Sequence, residues 1–177
     1  MKRSGGKWRW TVAAAALAML VGCGGAGSGS ESGKKGVRPD RDLVLAIRQA
    51  GQATASSVEV QPLRDPAVDG FLKQAGDLEA AQNFVDAIAA VDRALKLAPD
   101  APEILQLKAE LSIGLHRYAD AEALARRSFE LGPRLGSLCA RNWQTVVETR
   151  RVAKDEASSA SAKAQVAACK VPPRQRL

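Results

Sequence analysis

A chain of 177 residues that is 46% hydrophobic, 25% charged and only 4% aromatic has the composition of one globular domain with accessory segments. With so few aromatic rings its core must be built from Ala, Leu and Val, which suits closely packed helices better than a sandwich or barrel. The net charge of +7 suggests nucleic acid only at first sight: Lys2, Arg3, Lys7 and Arg9 crowd the first nine residues, and removing those four from the 26 basic residues leaves 22 against 19 acidic, or +3. No basic face is required, and no nucleic-acid partner is expected.

The four charges form a positive head, and positions 11–21 are an uncharged apolar run too short to span a bilayer comfortably. That is the layout of a secretory signal peptide. The run ends in Leu20-Val21-Gly22-Cys23, which resembles the bacterial lipoprotein box. The resemblance implies a diacylglyceryl group on the Cys23 sulfur, cleavage just before it, and acylation of the new amino group. Two or more acyl chains anchor stably, each buried methylene contributing ~0.8 kcal/mol. The plainer alternative is an ordinary signal peptide cut nearby, with Cys23 free or paired. Gly24 rather than Asp follows the cysteine, which by resemblance to enterobacterial sorting points to the outer membrane, facing the periplasm.

Positions 24–36 hold glycine, serine and a few charges, a flexible tether spanning ~20 Å. Leu43, Val44, Ile47 and Ala50 then recur at helical spacing, predicting a short amphipathic helix over 40–50 that stops before Gly51. Positions 57–61 alternate polar and apolar up to Pro62 and read as a brief extended segment.

Asp65-Pro66 is a helix start, a capping residue followed by proline at the first helical position. Helices are predicted to about residue 80, over 85–97, over 103–115 with Asp100 as a candidate cap, and over 118–131. One pattern is written twice in this stretch. Asn83-Phe84-Val85-Asp86-Ala87, then Ala94-Leu95, Leu97 and Pro99, is echoed 34 residues on by Arg117-Tyr118-Ala119-Asp120-Ala121, then Ser128-Phe129, Leu131 and Pro133. This resembles the tetratricopeptide repeat, a 34-residue helical hairpin. The resemblance implies an all-α array in which Ala75, Ala87, Ala94, Ala109, Ala121 and Ser128 sit where helices cross closely, with Phe84 and Tyr118 plugging the gap beneath each turn. The chain departs from the family at the tryptophan and leucine positions of the first helices (Phe71 and Gln74; Leu105 and Lys108). At the tight turn, where glycine is usual, it has Gln82 and His116.

Two repeats alone are marginal, because each buries its face on a neighbour. A third, degenerate hairpin is expected to cap them, over 138–150 with Cys139, Trp143, Val146 and Val147 on one stripe, and over 155–168 with Ala157, Ala160, Ala164 and Ala167 or Ala168 on another. Cys139 and Cys169 fall one on each helix. In an oxidising compartment they can bridge, stabilising by ~3–4 kcal/mol, or remain as two buried thiols. The division is then a signal peptide (1–22), tether (23–39), N-terminal helix and extended segment (40–64), two repeats (65–134), capping hairpin (135–170) and tail (171–177).

No catalytic constellation emerges. His116 is the one histidine, no Cys/His cluster has metal spacing, and no glycine loop cradles phosphate, so neither enzyme activity nor a cofactor or metal is expected. By the repeat resemblance, partners lie in the concave groove of the first helices. That groove would be lined by Asp69, Leu72 and Gly76, then Gln106, Glu110 and Ile113, with Ala140, Gln144 and Val147 continuing it. The set lacks the lysine and asparagine pattern of repeats that clamp a peptide carboxylate, so an extended or helical segment of an envelope protein fits better. The expected function is a lipid-anchored scaffold for a cell-envelope complex. The alternative is a wall-organising lipoprotein that binds peptidoglycan or its enzymes.

Overall fold

Proline and asparagine punctuation places the helices. The computed structural model describes residues 39–55 and 63–171, which comprise α1 (Pro39–Thr54), α2 (Pro66–Ala80), α3 (Phe84–Leu97), α4 (Pro102–Gly114), α5 (Tyr118–Leu131), α6 (Ser137–Val152) and α7 (Glu156–Ala168). Among the described residues every element is helical, and the chain is an all-α array of helical hairpins. Cys23, the tether and the segment expected to be extended at 57–61 lie outside the described residues.

The hairpins are α2–α3, α4–α5 and α6–α7, stacked in chain order through α3 on α4 and α5 on α6. All three share one turn. Gln82, His116 and Lys154 each adopt a left-handed backbone, with φ of 62°, 58° and 58°. In each turn the amide of that residue reaches the carbonyl three back, and the next amide reaches the carbonyl five back: Gln82 to Glu79 and Asn83 to Leu78, His116 to Ile113 and Arg117 to Ser112, Lys154 to Arg151 and Asp155 to Arg150. This is the Schellman ending, which satisfies the last carbonyls of one helix while reversing the chain into the next. A left-handed residue at this point is where glycine would be least strained, and the shared bonds show the third hairpin to be built like the first two. Asn83 and Asp155 then cap the second helices of their hairpins by accepting from Asp86 N and Ser158 N.

The small residues lie at the crossings. Ala75, Ala87, Ala94, Ala109, Ala121 and Ser128 are all buried. Ser128 tolerates burial because its hydroxyl donates to the Pro102 carbonyl at 2.7 Å. Phe84 lies against the next hairpin so closely that a Cβ on Gly114 would meet its ring at 2.7 Å.

Three expectations are corrected. The helix predicted over 40–50 runs on to Thr54, because Gly51 is not a stop: it is buried where α1 crosses α6, and a Cβ there would meet Arg141 Cγ at 2.7 Å. Asp100 does not cap α4. Ala101 holds the cap position without a side-chain bond, and Asp100 faces Arg127 at 3.4 Å. On α7 the stripe Ala157, Ala160, Ala164, Ala167 and Ala168 is exposed, whereas Ser159, Ala162 and Cys169 are buried, with Val166 partly so. Alanines on every side of that helix carry no phase, and the inward direction is set by Cys169.

Candidate functional site

The first helices of the hairpins share a face, and α1 lies across part of it, packing mainly on α6 and less on α4. The apolar contact is made by Ile47, fully buried with Ala109 and Ile113. The polar contact is a charge node around Glu110, whose side chain is 0% exposed. Arg48 Nε of α1 donates to Glu110 Oε2 at 2.8 Å, while Arg141 Nη2 and Nε of α6 donate to Oε1 at 2.6 and 2.9 Å. Gln106 Nε2 adds a bond to Oε1 at 3.0 Å and another to Thr145 Oγ1 at 2.9 Å. Arg48 Nη2 also reaches both oxygens of Glu79 on α2, at 2.8 and 3.1 Å. One carboxylate therefore ties α1, α4 and α6, and Arg48 extends the tie to α2. Burial alone would lower the Arg48 pKa, but Glu110 first and Glu79 second outweigh it and raise the value.

The residues assigned to an open groove thus divide. Gln106, Glu110, Ile113, Ala140 and Val147 are buried and line no open surface. Gln106 and Glu110 bond to each other and to α6, Glu110 also to Arg48 of α1, and Ile113 packs with Ile47 of α1, whereas Ala140 and Val147 are buried in clusters with Cys169 and Ala162 on the α7 side. Asp69 and Gly76 are exposed on α2, Leu72 is partly buried on the first core cluster, and Gln144 is partly buried with its amide on Glu148. The open part of the face is the α2 strip. Sequence reasoning missed Arg48 and Arg141. The available signal was Glu110 itself, a charge inside the run Ala109-Glu110-Leu111-Ser112-Ile113, which demands a cationic partner when buried.

At the far end, Cys139 and Cys169 form a disulfide with Cα atoms 5.6 Å apart. It joins the first turn of α6 to the end of α7, and a bond from Gly136 N to Cys169 O at 2.7 Å runs beside it. A second charge node lies between α5 and α6. Glu122 accepts from Arg150 at 2.6 Å, Arg126 at 2.9 Å and Thr149 at 3.0 Å. Burial pushes the Glu122 pKa up, and these donors, Arg150 foremost, more than reverse it, leaving the carboxyl below its ordinary value. Among the described residues no group of His, Cys, Asp and Glu is placed to hold a metal, and no helix is long and apolar enough to cross a membrane.

No family model matches the chain, and no curated protein matches it. A solved structure does. The globular C-terminal domain of LpoP from P. aeruginosa is 26% identical, with a TM-score of 0.56, over 59% of this chain and 99% of that domain.

Proposed function

We propose that the chain is a lipid-anchored, tetratricopeptide-like scaffold that holds another protein in the assembly or stability of a cell-envelope complex. The observation that carries this reading is the likeness to the LpoP domain, which supports an envelope setting and a role in protein interaction. The residues Leu20-Val21-Gly22-Cys23 behind a basic head support the anchor. Three hairpins closed by one repeated turn support the repeat assignment. The acylated Cys23 is the membrane contact at the periplasmic face of the outer membrane. The proposal includes no catalytic role.

Because α1 occupies the stretch over α4 and α6, the partner meets the α2 strip of Asp69, Leu72 and Gly76. The test is a photo-crosslinking residue at position 69 or 76, in whole cells, with and without Cys23→Ser. An adduct to a defined envelope protein that is lost on Cys23→Ser is the expected result. No discrete adduct from either position counts against the α2 strip, and fatty-acid labelling that survives Cys23→Ser counts against the anchor.

The likeness to the LpoP domain also favours a second reading, in which the partner is peptidoglycan or one of its enzymes. Mass spectrometry of the same adducts separates the two. A secretin or pore subunit supports an assembly role, and glycan strands or a wall enzyme support the second.

A further inference from the structure

Away from that face, between α5 and α6, a pocket of about 240 Å³ is lined by Phe129 and Trp143, Arg126 and Arg134, and Asn142. Its aromatic wall is a packed pair: the Phe129 and Trp143 rings meet edge to face with centroids 5.0 Å apart. Each ring carries a guanidinium, with Arg134 4.3 Å from the Phe129 centroid and Arg126 5.6 Å from that of Trp143. Asn142 is 1% exposed, and neither its carbonyl oxygen nor its amide nitrogen has a hydrogen-bond partner. A buried amide left unpaired at both ends keeps the full desolvation cost of both groups, so a side chain of this kind calls for a counterpart.

We infer that this pocket binds an extended acidic peptide segment. The N–H and C=O of one extended residue point the same way, and together they match the acceptor and donor of the Asn142 amide. An adjacent carboxylate meets Arg134. That guanidinium is exposed and, among the described residues, bonds otherwise through a long 3.4 Å contact to the Glu130 carbonyl, whereas Arg126 is shared with Glu122. The one carboxylate in the wall, Glu130, faces Arg127 at 3.6 Å. The volume is below the ~300–1,000 Å³ of sites for drug-sized ligands, so it takes one or two residues of a peptide. The Arg126 side chain is 45% exposed, so by leaving Glu122 and the Trp143 ring for solvent it can admit the backbone to Asn142. This second contact point stands on its own geometry, so the crosslinking at α2 and the binding test here can fail separately.

The test is NMR titration of the full chain in detergent with acetyl-Val-Asp-amide, against acetyl-Val-Asn-amide as control. The Asn142 side-chain amide and Trp143 indole signals should shift with the aspartate peptide, and the control should bind roughly tenfold more weakly for want of a charge-assisted bond. Asn142→Leu should abolish binding while raising Tm, because it replaces an unpaired amide by an apolar group of similar size. Arg134→Ala, on the surface, should weaken binding without touching the fold, and it carries the test should Asn142→Leu not fold. Absence of shifts with the aspartate peptide would overturn the inference. So would equal binding of the two peptides, binding undiminished by Arg134→Ala, or a Tm lowered by Asn142→Leu in a folded protein.

Discussion

The Arg48 guanidinium lies 2.8 Å from a Glu110 carboxylate that is completely enclosed, across 62 residues of sequence. The two ends of this ion pair are not equivalent. Glu110 has no route to water, whereas Arg48 and Arg141 are 38% and 26% exposed through their side chains. Removing the carboxylate lets both guanidiniums turn to solvent, whereas removing both guanidiniums strands a buried charge. The double variant Arg48→Met/Arg141→Met should therefore lose about 3–5 kcal/mol, the cost of an uncompensated buried ion, and Glu110→Met clearly less. Urea unfolding of the three proteins checks the order. Equal losses would mean that the node is a surface network.

The cysteine bridge closes a loop across 30 residues of sequence. In the chain-entropy model its loss costs about 3–4 kcal/mol. The effect should concentrate on α7, whose buried residues are small, Ser159 and Ala162 among them. Cys139→Ala/Cys169→Ala, or reduction of the native chain, should lower Tm and raise hydrogen exchange over 156–168 before the α2–α5 hairpins respond. Thiol counting in denaturant, with and without reductant, measures the bridge directly.

Much of the fold was legible because the repeat writes its structure in punctuation. Pro66 and Pro102 mark starts, Phe84 and Tyr118 follow the turns, and alanines recur at the crossings. The position of α1 was not legible. It precedes the 34-residue period, so no echo gives its register. Its key residue, Arg48, is one of many scattered basic residues until Glu110 is known to be sealed. The groove list came from positions in a repeat template, and a template cannot say that the chain covers its own groove. Asn142 was invisible for another reason: an unpaired amide is a property of packing, and a polar residue beside Trp143 has no distinctive pattern in sequence.

The shared turn gives a stabilising substitution. Lys154 is exposed and holds φ at 58°, a backbone that costs a side-chain-bearing residue about 1–2 kcal/mol. Glycine removes that strain but frees the unfolded chain, which takes back about 0.5–1 kcal/mol. Lys154→Gly should stabilise by the difference, about 0.5–1 kcal/mol. The reverse holds at Gly114, where an added Cβ would meet three atoms of the Phe84 ring within 2.9 Å. Gly114→Ala should cost about 1–3 kcal/mol by overpacking. Thermal melts of both variants decide the signs.

Acid should act through Glu122. Its folded pKa lies below the unfolded value, because the bonds from Arg150, Arg126 and Thr149 outweigh burial. A carboxyl with a depressed folded pKa binds fewer protons folded than unfolded between the two values, so stability rises with pH through that window. The contribution is complete above the unfolded pKa, near the ordinary carboxylate range, and is lost as pH falls through the folded one. Asp155 acts in the same direction, its carboxyl lowered mainly by the hydrogen bonds from Ser158. Glu122→Gln should therefore destabilise at pH 7, where the charged bonds to Arg150 and Arg126 are lost. Below the folded pKa, where the native carboxyl is itself neutral, it should differ little from the native protein. Plotting unfolding free energy against pH from 7 to 3 for both should give curves that converge in acid. Parallel curves would place the acid sensitivity in other carboxylates.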